Sequence, residues 1–171
     1  MASQYFATVQ QLTKMLKNLD AWLDKAVAHA EKKKFDPNVL LQSRLAPDMF
    51  ALIQQIQSAC DGAKFCAARL AGKDPPKHPD TEKTLEEIRP RIRAVIEYCS
   101  SFKESDFDGA EGRTVPLGFM PGKGLRAQDF LQEMNVANTY FHLVTAYAIL
   151  RHNGVDLGKQ DYIGSLNLVD T

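Results

Sequence analysis

Hydrophobic residues recur along this chain at steps of three and four, the spacing of one face of an α-helix. Phe6, Val9, Leu12, Leu16, Leu19, Leu23, Val27 and Ala30 form the first series and predict a helix over about residues 3–33. It closes on Lys32, Lys33 and Lys34, cations that face the negative end of the helix dipole. Asp36-Pro37 joins an N-cap to proline at the first helical position and predicts a short helical turn through Leu41. Pro47-Asp48 is a second start signal. Met49, Leu52, Ile53, Ile56, Cys60, Ala63, Ala67 and Leu70 then give an apolar face to about Ala71, with Gly72 placed for a left-handed cap. Residues 73–79 hold three prolines and read as a connecting loop. A third series, Leu85, Ile88, Ile92, Val95, Cys99 and Phe102, predicts a helix opening near Asp80 or Thr81, with Pro90 kinking it or delaying its start.

Residues 104–128 break the rhythm with five glycines and two prolines. Val115, Leu117 and Phe119 alternate there, and Pro121-Gly122 can turn the chain back toward Leu125, so a small β-hairpin or flap is expected. A last helix is expected over about Gln128–Asn153, bent near Asn135 to Asn138 and stopped by Gly154-Val155. The tail from residue 154 to 171 is too short to fold alone and is expected to lie across the bundle. Four long helices with one longer crossing between the third and fourth describe an all-α four-helix bundle, read as one domain over residues 1–171.

Composition narrows the functional classes. The 171 residues carry 21 Lys+Arg against 21 Asp+Glu, so no global field draws nucleic acid or an anionic membrane. No apolar run is long enough to span a bilayer, and the first residues lack a signal-peptide pattern. Cys60, Cys66 and Cys99 are odd in number, lie in helical runs and show no CxxC spacing. They point to a reducing compartment, the cytoplasm, and give no zinc or redox motif.

Polar residues on apolar helix faces carry the candidate chemistry, because burying them unpaired is costly. Asp48 and Gln55 are seven residues apart, two helical turns, so both can face one cavity. Asp48 can equally cap its helix. His142 sits between Phe141 and Leu143, as a satisfied core imidazole or as a hydrogen-bond partner and general acid/base near neutral pH. Tyr147, offset from it by roughly 140° of helix rotation, is a core or groove aromatic. Arg151 either meets the helix dipole and pairs with Asp156 or Asp161, or faces a ligand. Asp48, Gln55, Tyr147 and Arg151 are therefore the ligand-binding candidates and His142 the catalytic one. His29 and His78 are expected on the surface.

The run Tyr140-Phe141-His142-Leu143-Val144-Thr145-Ala146-Tyr147-Ala148-Ile149-Leu150-Arg151-His152-Asn153-Gly154-Val155, with Gly158-Lys159 and Asp161-Tyr162-Ile163-Gly164, resembles a domain-of-unknown-function family of bacteria and fungi. Arg44-Leu45-Ala46-Pro47-Asp48-Met49-Phe50 and Leu70-Ala71-Gly72 fit the same family, which is grouped with the DinB/YfiT-like superfamily of metalloenzymes. The resemblance implies a four-helix bundle in up-down-down-up order. In metal-binding members, one histidine from the second helix and two from the fourth hold a divalent ion, and some members are thiol-dependent transferases or isomerases. Carried over, the fourth-helix positions fall on His142 and Ala146 and the second-helix position falls near Gln55. Two of three ligands are thus missing and no cofactor is expected; any metal would have to use His142, Gln55 and Asp48. Three functions stay open: a small-molecule site between the second and fourth helices, a non-enzymatic homodimer using outer aromatics such as Tyr5, Trp22 and Phe65, and a metal-dependent enzyme.

Overall fold

Helices form where the three- and four-residue periodicity places them in the computed structural model, which describes residues 3–170. Helix α1 spans Gln4–Lys33 and a 3-10 turn follows over Pro37–Gln42, where the Asp36 carboxylate accepts from the Asn38 amide at 2.9 Å. Helix α2 spans Leu52–Leu70 and starts later than Pro47-Asp48 suggests. Residues 46–49 close a turn instead (Met49 N to Ala46 O, 3.1 Å), and the Gln54 side chain accepts from the Ala51 amide at 3.2 Å to begin the helix. Helix α3 spans Leu85–Ser100, also later than Asp80 or Thr81. A capping box fixes that start: Thr84 Oγ1 accepts from the Glu87 amide, and the Glu87 carboxylate accepts from the Thr84 amide at 3.1 Å. The helix runs on across Pro90.

Strands β1 (Thr114–Pro116) and β2 (Gly124–Arg126) pair antiparallel with Val115 opposite Leu125, so the expected hairpin is present. The fourth long helix has three parts: α4 (Ala127–Asp129), a π-helical stretch over Phe130–Val136, and α5 (Ala137–His152). Where a bend is expected near Asn135 to Asn138, the helix carries this π stretch, whose hydrogen bonds reach one residue further along the chain than an α-helix's. Gly154, at φ 89°, ends α5, and the Val155 amide returns to Leu150 O at 3.1 Å. A short helix α6 (Lys159–Ile163) lies across α1, where Trp22 Nε1 donates to Asp161 O and Asn18 to Tyr162 O, both at 2.9 Å.

Side-chain pairings fix the helix directions. Asp24 and then Asp20 of α1 meet Arg89 and then Arg93 of α3, so these two run antiparallel. Gln55 meets His142 and Gly62 meets Asn135, so α2 and the fourth helix are also antiparallel. The segment between α2 and α3 runs back along α2: Lys64 contacts His78, and Gln57 contacts Glu82. It therefore delivers the start of α3 to the start of α2, and those two helices are parallel. The bundle is up-down-down-up.

One core joins all four helices, with Leu16, Leu19, Leu23, Ile56, Cys60, Ile92, Val95, Ala146 and Ile149 fully buried. Trp22 and Tyr5 belong to this core, at 1% and 4% exposure, and are not outer aromatics. For Trp22 the burial follows from the α6 crossing, which stacks Tyr162 on its ring at 5.5 Å. Among the described residues, no helix is long and apolar enough to cross a membrane.

Candidate functional site

Two helix faces define a cavity of about 160 Å³. Helix α2 contributes Ser58, Gly62, Phe65 and Arg69; the fourth helix contributes Phe130, Met134, Asn138 and His142 at four-residue steps. Asp61 and Asn135 complete its wall. Gly62 brings the helices together, since a Cβ there would lie 2.2 Å from Thr139 Oγ1. The π stretch positions Asn135, whose amide donates to Gly62 O at 2.9 Å while its Oδ1 has no protein partner among the described residues. Buried orphan acceptors are uncommon in native proteins, and π stretches are often found at functional sites.

His142 and Gln55 form the centre. His142 Nδ1 lies 2.7 Å from Gln55 Oε1, and Gln55 Nε2 donates to Phe50 O at 3.1 Å. Because that amide nitrogen is committed as a donor, the oxygen faces the ring, and Nδ1 must carry the proton. Nε2 then keeps its lone pair. Burial holds the imidazole below its ordinary range, favouring the neutral form. Phe50 stacks near-parallel on the ring at 6.5 Å and Phe141 meets it edge-on at 5.3 Å.

The other candidates are elsewhere. Asp48 is exposed on the turn before α2, with no hydrogen bond to Gln55 or His142 among the described residues. The two-turn argument fails because residue 48 is not helical; the acid that lines the cavity is Asp61. Tyr147 packs on Trp22 at 5.7 Å and its hydroxyl reaches Leu157 O. Arg151 is exposed and reaches Val155 O at 3.4 Å, while Asp161 pairs with Lys25 at 2.6 Å. His29 and His78 are half-buried, His78 because Lys64 holds its Nδ1 at 3.3 Å.

The superfamily's three-histidine metal site does not fit these residues. His142 gives Nδ1 to Gln55, Ala146 has no donor, and among the described residues no three His, Cys, Asp or Glu side chains cluster around one point.

Next to the cavity lies a buried charge cluster that periodicity did not reveal. Arg91, 4% exposed, bridges Asp61 at 2.9 Å, Asp80 at 2.6 Å and Glu82 at 3.3 Å; Lys64, 2% exposed, meets Asp61 at 2.7 Å. The signals were present: Arg91 falls in the seam between Ile88 and Val95, and Asp61 precedes Lys64 by one helical turn.

Residues 4–163 match the family described as Domain of unknown function (DUF1993). A crystal structure of a DinB family member protein from Shewanella denitrificans superposes with a TM-score of 0.93 at 50% identity, covering 98% of this chain and 95% of that one. The comparison with curated proteins gives no match.

Proposed function

We propose that this chain, which belongs to the DUF1993 family, binds a small polar molecule in the cavity between α2 and the fourth helix, with His142 as its hydrogen-bond acceptor. The observation that carries this reading is the 2.7 Å pairing of His142 with Gln55. It commits Nδ1 and leaves a neutral Nε2 on a ring that lines a cavity. Asn135 Oδ1 offers a second acceptor beside it. Two acceptors and the Phe65, Phe130 and Met134 walls favour a ligand with an N–H or O–H donor and a small apolar body. The same lone pair is that of a general base near neutral pH. The cytoplasm suits the chain, since the three thiols are unbridged and burial pushes those of Cys60 and Cys99 up to about 12.

The test is an NMR titration with acetamide, benzamide and catechol, read on the Asn135 and Asn138 side-chain amides and the His142 ring. Saturable shifts confined to those groups are expected. The double variant Gln55→Leu with His142→Leu should lose them while staying folded, because both partners of the buried His142–Gln55 bond become apolar and only the part-buried Phe50 carbonyl loses its donor. Shifts that persist in this variant would overturn the reading.

A second reading is self-association. Phe141 and Val144 are 55% and 49% exposed on the outer face of α5, beside Phe50 at 51%. A helix apolar on both faces is usually covered, and a second copy would cover this one. Sedimentation equilibrium that finds only monomer would remove it.

A further inference from the structure

A second concavity, a groove of about 1020 Å³, lies between the hairpin and the C-terminal end of α2. Its charged lining is Arg69, Lys73, Arg113, Lys123 and one acid, Asp74. Lys73 is paired with Asp106 at 2.7 Å. Arg113 gives its donors to neutral backbone, to Leu70 O and to Asp108 O at 3.0 Å, so its charge is not cancelled. The groove is cationic in a chain whose formal charge is zero.

Arg69 is the informative residue. It is half-buried, with its guanidinium carbon 4.4 Å from the Phe65 ring centroid and 5.7 Å from that of Phe130. Two aromatic rings thus flank the group and narrow its freedom. No carboxylate pairs with it among the described residues, and burial lowers its pKa with no acid opposing the shift. Its place in the last turn of α2 suits the helix dipole, and among the described residues its fork of donors meets no side-chain acceptor. A guanidinium held against aromatic rings, with its donors free, is a common partner of planar or tetrahedral oxyanions. Gly118 and Gly122 line the opposite wall, and open space lies where their side chains would be, so a ligand can approach the hairpin backbone.

We propose that this groove is a binding site for a small organic anion, whose phosphate or carboxylate group is held by Arg69 with Lys123 of the hairpin turn closing over it. The hairpin then acts as the wall of an anion site. Arg69 also borders the His142 cavity, yet the groove's chemistry does not need that imidazole.

The experiment is a ¹⁵N NMR titration of the full chain with phenyl phosphate, benzoate and benzyl alcohol. Phenyl phosphate or benzoate should shift the Arg69 Nε–Hε signal and the Gly118, Gly122 and Lys123 amides in a saturable way. The tighter of the two identifies the acid group. Benzyl alcohol should leave those signals in place, and raising salt from 20 to 300 mM should weaken the anions several-fold (approximate, from ionic screening). Arg69→Gln should weaken them at least about tenfold, the worth of one charge-assisted contact, and Lys123→Gln by less. The Gln55→Leu, His142→Leu variant should bind them as the natural chain does, which separates this inference from the cavity reading. Equal shifts from benzyl alcohol, or unchanged affinity in a folded Arg69→Gln variant, would overturn the proposal.

Discussion

Replacing Arg91 by alanine should lower the unfolding free energy by about 3–5 kcal/mol, the usual cost of removing one member of a buried ion cluster. For a chain of this length that is a fall in Tm of roughly 6–20 °C. Among the described residues, the guanidinium is the one group that joins Asp61 on α2 to Asp80 and Glu82 on the returning segment. Without it those carboxylates face one another, and the crossing that keeps α2 and α3 parallel loses its clamp. Asp80→Asn should cost far less, because Asp80 is 61% exposed and its charge is screened. The effect has a pH signature. Burial opposes the ionised form of Glu82, but hydrogen bonds from backbone and Gln57, together with the Arg91 charge, outweigh it and hold this carboxyl below its ordinary range. A depressed folded pKa contributes stability above the unfolded value, about 4.3, and that contribution is lost as pH falls through the folded value. Urea unfolding of both proteins at pH 7 and pH 3.5 should therefore show the difference shrinking in acid. A loss under 1 kcal/mol at pH 7 would contradict the clamp (an order-of-magnitude threshold).

Gly62→Ala should destabilise by about 1–3 kcal/mol, although the same change on an exposed helix would be stabilising by up to ~1 kcal/mol. The added methyl would sit 2.2 Å from Thr139 Oγ1 and 3.0 Å from its Cβ. Thr139 is fully buried and its hydroxyl is held by Asn135 O at 2.7 Å, so the side chain cannot simply turn away. The helices must part, at the level of the cavity. Adding Thr139→Ala to Gly62→Ala should recover part of the loss even though it removes a hydrogen bond. Such coupling is what a double-mutant cycle measures. Chemical unfolding that finds Gly62→Ala more stable than the natural chain would refute the close approach.

The helices were legible because their apolar series are long and regular, and their ends failed where local capping decided. Thr84 with Glu87 moved the start of α3, and Gln54 with a turn at Ala46–Met49 moved that of α2. The site was legible only in part. His142 and Gln55 stood out as polar residues in apolar runs, and they are in contact. Asp48 did not join them, because seven residues equal two turns only inside a helix. Asp61, Asn135 and Arg69 were hidden for a different reason: each looks like an ordinary surface polar residue until the neighbouring helix is in place. Arg91 lies on the apolar seam and Lys64 one turn after Asp61, but a cation is ordinarily a surface residue, so neither position reads as buried. The π stretch was visible only as an irregularity between Asn135 and Asn138, since no residue type marks the extra backbone unit.

Gln55 fixes His142 as a neutral ring with its proton on Nδ1. Long-range ¹H–¹⁵N NMR of the histidine rings, followed from pH 8 to pH 4.5, reads this directly. The Nδ1–H tautomer is expected at pH 7, with a midpoint below the ordinary value of about 6.5, in keeping with burial of the ring. An Nε2–H tautomer at pH 7, or a ring already protonated there, would contradict it.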